Sequence, residues 1–176
     1  MADMLAMLKM AAPSIQDHVR SYIETDGGDA AYFRDNTQFG GDPKTTHLLL
    51  KTFGRKTGEP RFAPLIFKEI GGEYVIVASK AGDDSHPTWF LNMRDAKEVA
   101  AQVGPKRYRC TWRVAEGEER QRIWDVMTPY YPPYLEYQAR TDRQIPVVLL
   151  RPVGEIAEKF VSRPGDGVDA RTRVPS

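Results

Sequence analysis

One cysteine and three histidines are all that this chain of 176 residues offers to disulfide or soft-metal chemistry. The single thiol, Cys110, excludes an internal disulfide and a thiolate metal cluster, and it fits a reducing cytoplasm. It lies in a strand-like run, which favours a core residue over a nucleophile. His18, His47 and His86 are far apart in sequence and lack HxH or HExxH spacing, so we predict no metal site.

Long apolar runs and an excess of one charge are also missing. The longest apolar runs are far below the roughly 20 residues of a membrane span, and the first thirteen residues lack the features of a secretory signal. The net charge of +1 argues against a general nucleic-acid-binding surface. No GxGxxG, Walker A or GxSxG motif and no internal repeat is present. We therefore expect a single-domain cytoplasmic protein of ordinary composition.

Strand signals dominate the middle of the chain. They fall at about 46–53, 61–70, 73–80, 97–103, 107–115 and 146–153. Helical signals fall after Pro13-Ser14, at about 87–95 and at 116–128, and residues 34–45 have loop composition. Six short strands with few helices predict a mainly β fold with flanking helices, built as a closed or nearly closed antiparallel barrel. Pro64, inside an apolar run, indicates a bulge or a sheet edge.

The predicted domain covers residues 1–155, with a helical extension at 1–25 and a C-terminal tail at 156–176. Four of the six methionines lie within the first ten residues at helical spacing, which predicts one flexible apolar stripe. A short docked helix, a lid over a substrate pocket and a weak peripheral membrane contact through residues 1–12 all fit this stripe. The location is then cytoplasmic, with membrane association as the alternative.

A cationic turn, Gly54-Arg55-Lys56-Thr57-Gly58, separates two apolar segments and predicts a hairpin. Five basic residues and one acid lie between Lys51 and Lys68. Backbone N–H groups and cationic side chains that converge on a hairpin tip suit a multiply charged anion. A solvated surface turn is the alternative interpretation.

Two further segments are candidates for a site. In Val77-Ala78-Ser79-Lys80-Ala81-Gly82, a small strand end would permit the close approach of a ligand, or would be an ordinary strand end. The second segment carries four of the eight tyrosines within residues 130–137, with a helical turn predicted near Pro132-Pro133. Protonated phenols there would donate hydrogen bonds to an oxyanion. A packed aromatic cluster is the alternative.

Taken together, four segments resemble the deazaflavin-dependent nitroreductases and quinone reductases, which use coenzyme F-420 and have a split β-barrel. The resemblance covers roughly residues 45 to 150. The matching segments are 54–61, 78–82, 86–92 and the run from Tyr131-Pro132-Pro133-Tyr134 to Ile145-Pro146-Val147.

The resemblance implies a set of site residues. Those implied for the anionic tail of the coenzyme are Arg55, Lys56, Thr57, Arg61 and Lys80. Those implied near the deazaflavin ring are Pro64, Ala78, Ser79, Trp89 and Asn92. Those implied for catalysis in the substrate pocket are Ser79, Tyr131, Tyr134 and Tyr137.

The implied activity is hydride transfer from reduced coenzyme F-420 to a lipophilic acceptor, such as a quinone, an activated enone or a nitroaromatic compound. An FMN-dependent oxidoreductase on the same barrel and a non-catalytic coenzyme-binding module are the alternatives. A nucleic-acid-binding module, which only the basic hairpin and nearby aromatic residues support, is the weakest. The sequence leaves open the physiological acceptor, the oligomeric state and which tyrosine is the proton donor.

Overall fold

The computed structural model describes residues 15–160. The strands are β1 (Phe33–Arg34), β2 (Thr45–Phe53), β3 (Pro60–Ile66), β4 (Lys68–Ile70), β5 (Glu73–Val77), β6 (Glu98–Val103), β7 (Lys106–Val114) and β8 (Val147–Ile156). The helices are α1 (Ile15–Glu24), α2 (Asp29–Tyr32), α3 (Thr88–Arg94), α4 (Gly117–Tyr130) and α5 (Pro133–Ala139), with 3-10 turns at Thr37–Phe39 and Lys80–Gly82. The predictions for residues 1–12 and for the tail beyond residue 160 lie outside the described residues.

The strands form one antiparallel sheet in the order β1-β2-β6-β7-β8-β5-β4. Residues 49–51 of β2 pair with both β6 and β3, so β3 occupies the opposite side of β2. Because β3 pairs with no strand other than β2 within residues 15–160, the barrel is split at that edge. The predicted mainly β, antiparallel split barrel with flanking helices is confirmed. Pro64, which cannot donate a backbone hydrogen bond, lies in this edge strand as its position in the sequence indicated.

Local turn chemistry explains two of the connections. Gly71 and Gly72 have φ values of 60° and 82° between β4 and β5, a backbone that glycine adopts at low cost in a two-residue hairpin. The β2–β3 hairpin formed as predicted, with Phe53 opposite Pro60. The predicted strand at 61–70 is instead two strands. Phe67 lies between them and donates its backbone N–H to the carbonyl of Thr46 at 3.0 Å.

Three apolar clusters hold the helices on the barrel. The barrel interior contains Leu48, Leu50, Ile76, Cys110 and Val148, all with no exposed surface. Cys110 is thus the core residue that the sequence predicted. On one side, α4 and α5 pack their tyrosines against β5 and β8, and on another side α1 packs Val19 and Tyr22 against Leu49 and Phe62. Within residues 15–160, no helix combines the length and the apolar character needed to cross a bilayer.

Candidate functional site

The main cavity, about 490 Å³ in volume, lies beside β3. Helix α1 borders it on one side, and α5 and the turn after β5 border it on the other. Seven of the predicted site residues line this cavity: Pro64, Ser79, Lys80, Trp89, Tyr131, Tyr134 and Tyr137. They come from four separate stretches of chain, which the fold brings to one place. Its volume is in the range of small-molecule sites.

The tyrosine cluster owes its position to a break between two helices. Helix α4 ends at Tyr130, whose phenol oxygen accepts a hydrogen bond from the backbone N–H of Thr46 at 2.6 Å. Helix α5 then begins at Pro133, as predicted, because proline is tolerated in a first helical turn. Tyr134 and Tyr137 share one face of α5. The ring centroid of Tyr131 lies 5.0 Å from that of Tyr134 and 6.4 Å from that of Tyr137.

Burial sets the acid–base behaviour of these phenols. The exposed fraction is between 4% and 8% for all three side chains. Desolvation raises the pKa of Tyr131, Tyr134 and Tyr137 above the ordinary value for tyrosine. The hydroxyl groups of Tyr131 and Tyr137 lie 3.5 Å apart. The cluster therefore holds neutral phenols at neutral pH, which donate hydrogen bonds without becoming charged.

The turn after β5 adopts an uncommon backbone. Lys80, Ala81 and Gly82 have φ values of 44°, 51° and 79°, a region that costs free energy for residues other than glycine. A Cβ at Gly82 would lie 2.6 Å from the carbonyl oxygen of Tyr137, so only glycine lets the turn approach α5 this closely. The turn and the tyrosine helix are consequently one packed unit. Within it, Lys80 donates to the Ser85 hydroxyl at 2.9 Å.

Arg143 holds this turn in place. The resemblance to the deazaflavin-dependent reductases had implied no role for this residue. Its guanidinium donates to the carbonyls of Ala78, Ser79 and Asp83 at 3.2, 2.8 and 2.8 Å. It also contacts Nδ1 of His86 at 3.3 Å. Ala78 itself is fully buried and does not line the cavity. The sequence contained one indication of this role: Arg143 lies next to a predicted strand, in a segment that carries the resemblance.

A second cavity of about 270 Å³ lies between the hairpin and α3. Arg55 and Asn92 line it, and both the backbone N–H and the guanidinium of Arg55 donate to Oδ1 of Asn92 at 3.2 Å. Thr52 also lines it. Nδ2 of Asn92 and Oγ1 of Thr52 are buried and have no hydrogen-bond partner among residues 15–160. Helix α3 therefore supplies Trp89 to the main cavity and Asn92 to this one.

The remaining hairpin residues line neither cavity. Lys56 and Thr57 are exposed at the tip, and Thr57 accepts the backbone N–H of Glu59 at 3.2 Å. Arg61 is half-buried and lies 3.6 Å from a carboxylate oxygen of Glu59. The structure thus divides the predicted cofactor residues between the main cavity, the second cavity and the surface of the hairpin, with Ala78 buried in the core.

On the α1 side, the main cavity has polar residues to which the sequence analysis gave no role in a site. His18 and His47 come together with ring centroids 5.0 Å apart, and Arg34 lines the same wall. Burial is the main cause that lowers the pKa of His18 to about 4 and that of His47 to about 3. Their separation in sequence gave no hint of this contact, which depends on how α1 docks against β2.

Known proteins match the same part of the chain. Residues 26–152 match the family described as F420H(2)-dependent quinone reductase. The F420H(2)-dependent quinone reductase Rv1261c of Mycobacterium tuberculosis is 38% identical over 129 residues, which cover 69% of this chain and 85% of that protein. A putative F420H(2)-dependent quinone reductase of the same organism, Rv3178, is 33% identical over 105 residues, 60% of this chain and 88% of that protein.

Two solved structures resemble this chain in both fold and sequence. One, described as an F420-H2 dependent reductase (FDR-A), is 43% identical with a TM-score of 0.55 and covers 60% of this chain and 93% of its own. The other, described as a domain-swapped dimer, is 37% identical with a TM-score of 0.57 and covers 77% and 98%. The family match spans well over half of the sequence and includes β1–β7, the first part of β8, the second cavity and the tyrosine cluster, whereas the α1 residues that line the main cavity precede it. The chain belongs to the F420H(2)-dependent quinone reductase family.

Proposed function

We propose that this protein transfers a hydride from reduced coenzyme F-420 to a lipophilic acceptor of the quinone type, with activated enones and nitroaromatic compounds as further acceptors. The observation that carries the proposal is the main cavity. It places three protonated phenols opposite an edge strand and a small strand end, in a chain of this family. Family membership supports the assignment of coenzyme F-420 as the cofactor. The apolar, phenol-lined cavity supports the assignment of a lipophilic acceptor.

The residues fit the chemistry of the cofactor. Its tail bears several negative charges, and the hairpin offers Arg55 and Lys56 in its turn and Arg61 at the start of β3. The amide nitrogen of Asn92 and the hydroxyl of Thr52 have no hydrogen-bond partner among the described residues. Both would donate hydrogen bonds to oxygens of an anion bound beside Arg55. These five residues would hold the tail, while Pro64, Ser79, Lys80 and Trp89 would border the ring in the main cavity, with Ala78 packed behind them.

When bound, the reduced coenzyme supplies a hydride. The protein's part is to orient the acceptor, exclude water and stabilise the charge that appears on the acceptor oxygen. Tyr131, Tyr134 and Tyr137 remain neutral donors because burial raises the pKa of each phenol. The same shift makes them weak acids, so hydrogen-bond donation is their main role. The contact between Tyr131 and Tyr137 would let one phenol orient the other.

An anaerobic assay tests the proposal. The purified protein is mixed with menadione and either reduced coenzyme F-420 or reduced FMN, and oxidation of each cofactor is followed. Turnover with reduced F-420 alone supports the proposal. Bound FMN in the purified protein, together with turnover on reduced FMN, would support the flavin alternative. Tight F-420 binding without turnover of quinones, enones or nitroaromatics would make the protein a binding module.

Replacing both exposed cations at the hairpin tip, Arg55→Ala with Lys56→Ala, should weaken coenzyme binding about tenfold. The loss of two charge-assisted contacts at a partly exposed site should reduce the binding free energy by about 1.4 kcal/mol, which corresponds to a tenfold change in Kd. Fluorescence titration with oxidised coenzyme F-420 measures the Kd, and added salt should weaken binding in the parent protein more than in the variant. The matched control replaces two exposed cations outside the hairpin, Arg20→Ala with Lys106→Ala. Equal affinity in the hairpin variant and the control would remove the hairpin from the site.

Single Tyr→Phe variants at positions 131, 134 and 137 should separate catalysis from binding. We expect kcat to fall about tenfold in at least one variant, less than for an isolated oxyanion donor, because three phenols share the cavity. The Kd for the coenzyme should change less than kcat. Tyr108→Phe, a half-buried phenol in β7, is the control. If only coenzyme affinity falls, the hydrogen-bond role is wrong.

A further inference from the structure

The α1 wall of the main cavity contains one arginine and two histidines outside the machinery described above. Arg34 ends the short strand β1, His47 lies in β2, and His18 comes from α1. His18 donates from Nε2 to the carbonyl of Ala31 at 2.8 Å, and Nδ1 of His47 contacts the carbonyl of Thr45 at 3.3 Å. Backbone hydrogen bonds thus fix both rings beside Arg34.

The charge of this wall is carried by Arg34. Both histidines are 7% exposed and remain neutral at neutral pH, and the nearby guanidinium contributes to lowering the pKa of each. Arg34 takes part in none of the ion pairs of residues 15–160. Its Nε is buried and has no hydrogen-bond partner in this part of the chain. A half-buried guanidinium without a counter-ion among the described residues favours a bound anion, because leaving such a charge unpaired is costly.

The hydrogen bonds of the other charged side chains that line the cavity, Asp35 and Lys80, go to residues other than Arg34. The carboxylate of Asp35 accepts the backbone N–H and the hydroxyl of Thr37 at 2.9 and 2.7 Å. Lys80 donates to Ser85 on the side of the strand-end turn. Phe39 and Trp89, which also line the cavity, supply flat apolar surface. A ligand that matches this arrangement is aromatic and carries an acidic oxygen.

We propose that Arg34, positioned beside His18 and His47, forms an anion subsite that receives a carboxylate or an ionised ring hydroxyl of the acceptor. The assignment of the ligand as an acceptor rests on the proposed function, whereas the anion subsite itself does not. The protein would then prefer acceptors with an acidic substituent over neutral ones of the same shape. Guanidinium–carboxylate pairing gives orientation as well as affinity, because the fork fits two oxygens.

The probes are 2-naphthoate and 2-naphthamide, which match in shape and differ in charge. Calorimetric titration of the full chain without coenzyme should show 2-naphthoate binding about tenfold tighter or more, as for a partly buried charge pair. Arg34→Gln should abolish this preference while leaving 2-naphthamide binding unchanged, and Arg34→Lys should retain part of it. Arg20→Gln, on the exposed face of α1, is the control and should behave as the parent. Thermal unfolding of each variant verifies that it is folded.

Three outcomes would overturn the subsite: equal affinity for acid and amide in the parent, the same preference in a folded Arg34→Gln variant, or loss of the preference in the Arg55→Ala, Lys56→Ala variant. The last would place the anion at the hairpin. Turnover of menadione with reduced F-420 but no preference for the acid would leave the proposed function intact and refute the subsite. A preference for the acid that depends on Arg34, without any turnover, would support the subsite and refute the proposed function.

Discussion

Lowering the pH from 6.5 to about 4.5 should remove on the order of 5 kcal/mol from the free energy of unfolding through His18 and His47 alone. In the unfolded chain both imidazoles take up a proton near pH 6.5, whereas in the folded protein the pKa is about 4 for His18 and about 3 for His47. Between these values the unfolded state binds more protons. Stability therefore increases with pH in this window and is lost as the pH falls through it.

The size of the effect follows from burial. Desolvation is the largest cause of both shifts, and for His47 the neighbouring charges of His18 and Arg34 add to it. Each pKa unit corresponds to about 1.4 kcal/mol, so two units of pH cost about 2 to 3 kcal/mol for each ring. A domain with a typical stability of about 5 to 15 kcal/mol would then be close to unfolding at pH 4.5.

Urea unfolding at pH 7, 5.5 and 4.5 measures this loss, and a designed variant isolates its source. In His18→Gln the amide nitrogen can replace Nε2 toward Ala31, and in His47→Asn it can replace Nδ1 toward Thr45. The double variant keeps these donors and cannot titrate. Its stability should depend much less on pH than that of the parent. His86→Gln, at a histidine with a smaller shift, is the matched control. Parallel pH dependence in the parent and the double variant would contradict the assignment.

The parts of the fold that sequence predicted are those fixed by local chemistry. The apolar runs predicted as strands at about 46–53 and 61–70, with a glycine-flanked turn between them, specify a hairpin without reference to the rest of the chain. The start of α5 at a proline is equally local. Pro64 could be assigned to an edge because a missing N–H is a defect in any interior strand. These features supply Pro64, Tyr134 and Tyr137 to the main cavity.

What the sequence did not predict depends on pairing between distant segments. The two-residue strand β1 exists only because β2 pairs with it, and the break at Phe67 arises where its backbone bonds to Thr46. The contact between His18 and His47 needs the docking of α1. Periodicity within one element carries no information on such contacts. The resemblance pointed to segments of the sequence but could not show that Asn92 and Trp89 face different cavities.

Replacing Arg143 by Met should lower the free energy of unfolding by about 3 kcal/mol and weaken coenzyme binding at the same time. The guanidinium donates to three carbonyls on the strand-end turn, and hydrogen bonds to a charged group contribute about 1.5 to 3 kcal/mol each when measured singly. The turn carries positive φ values at Lys80 and Ala81. Without the donors, this strained backbone should relax toward ordinary conformations and displace Ser79.

Arg143→Lys separates position from charge. Lysine retains the cation but presents donors from one nitrogen, so it cannot bridge Ala78, Ser79 and Asp83 as the planar guanidinium does. We therefore expect Lys to restore little of the lost stability. Arg122→Met, an exposed arginine on α4, is the control and should resemble the parent. Denaturant unfolding gives the stability and fluorescence titration gives the Kd for oxidised coenzyme F-420. Because Gly82 packs against Tyr137, the displaced turn should also disturb the phenols, so a loss of stability without any change in Kd or kcat would show that Arg143 supports the fold and not the site.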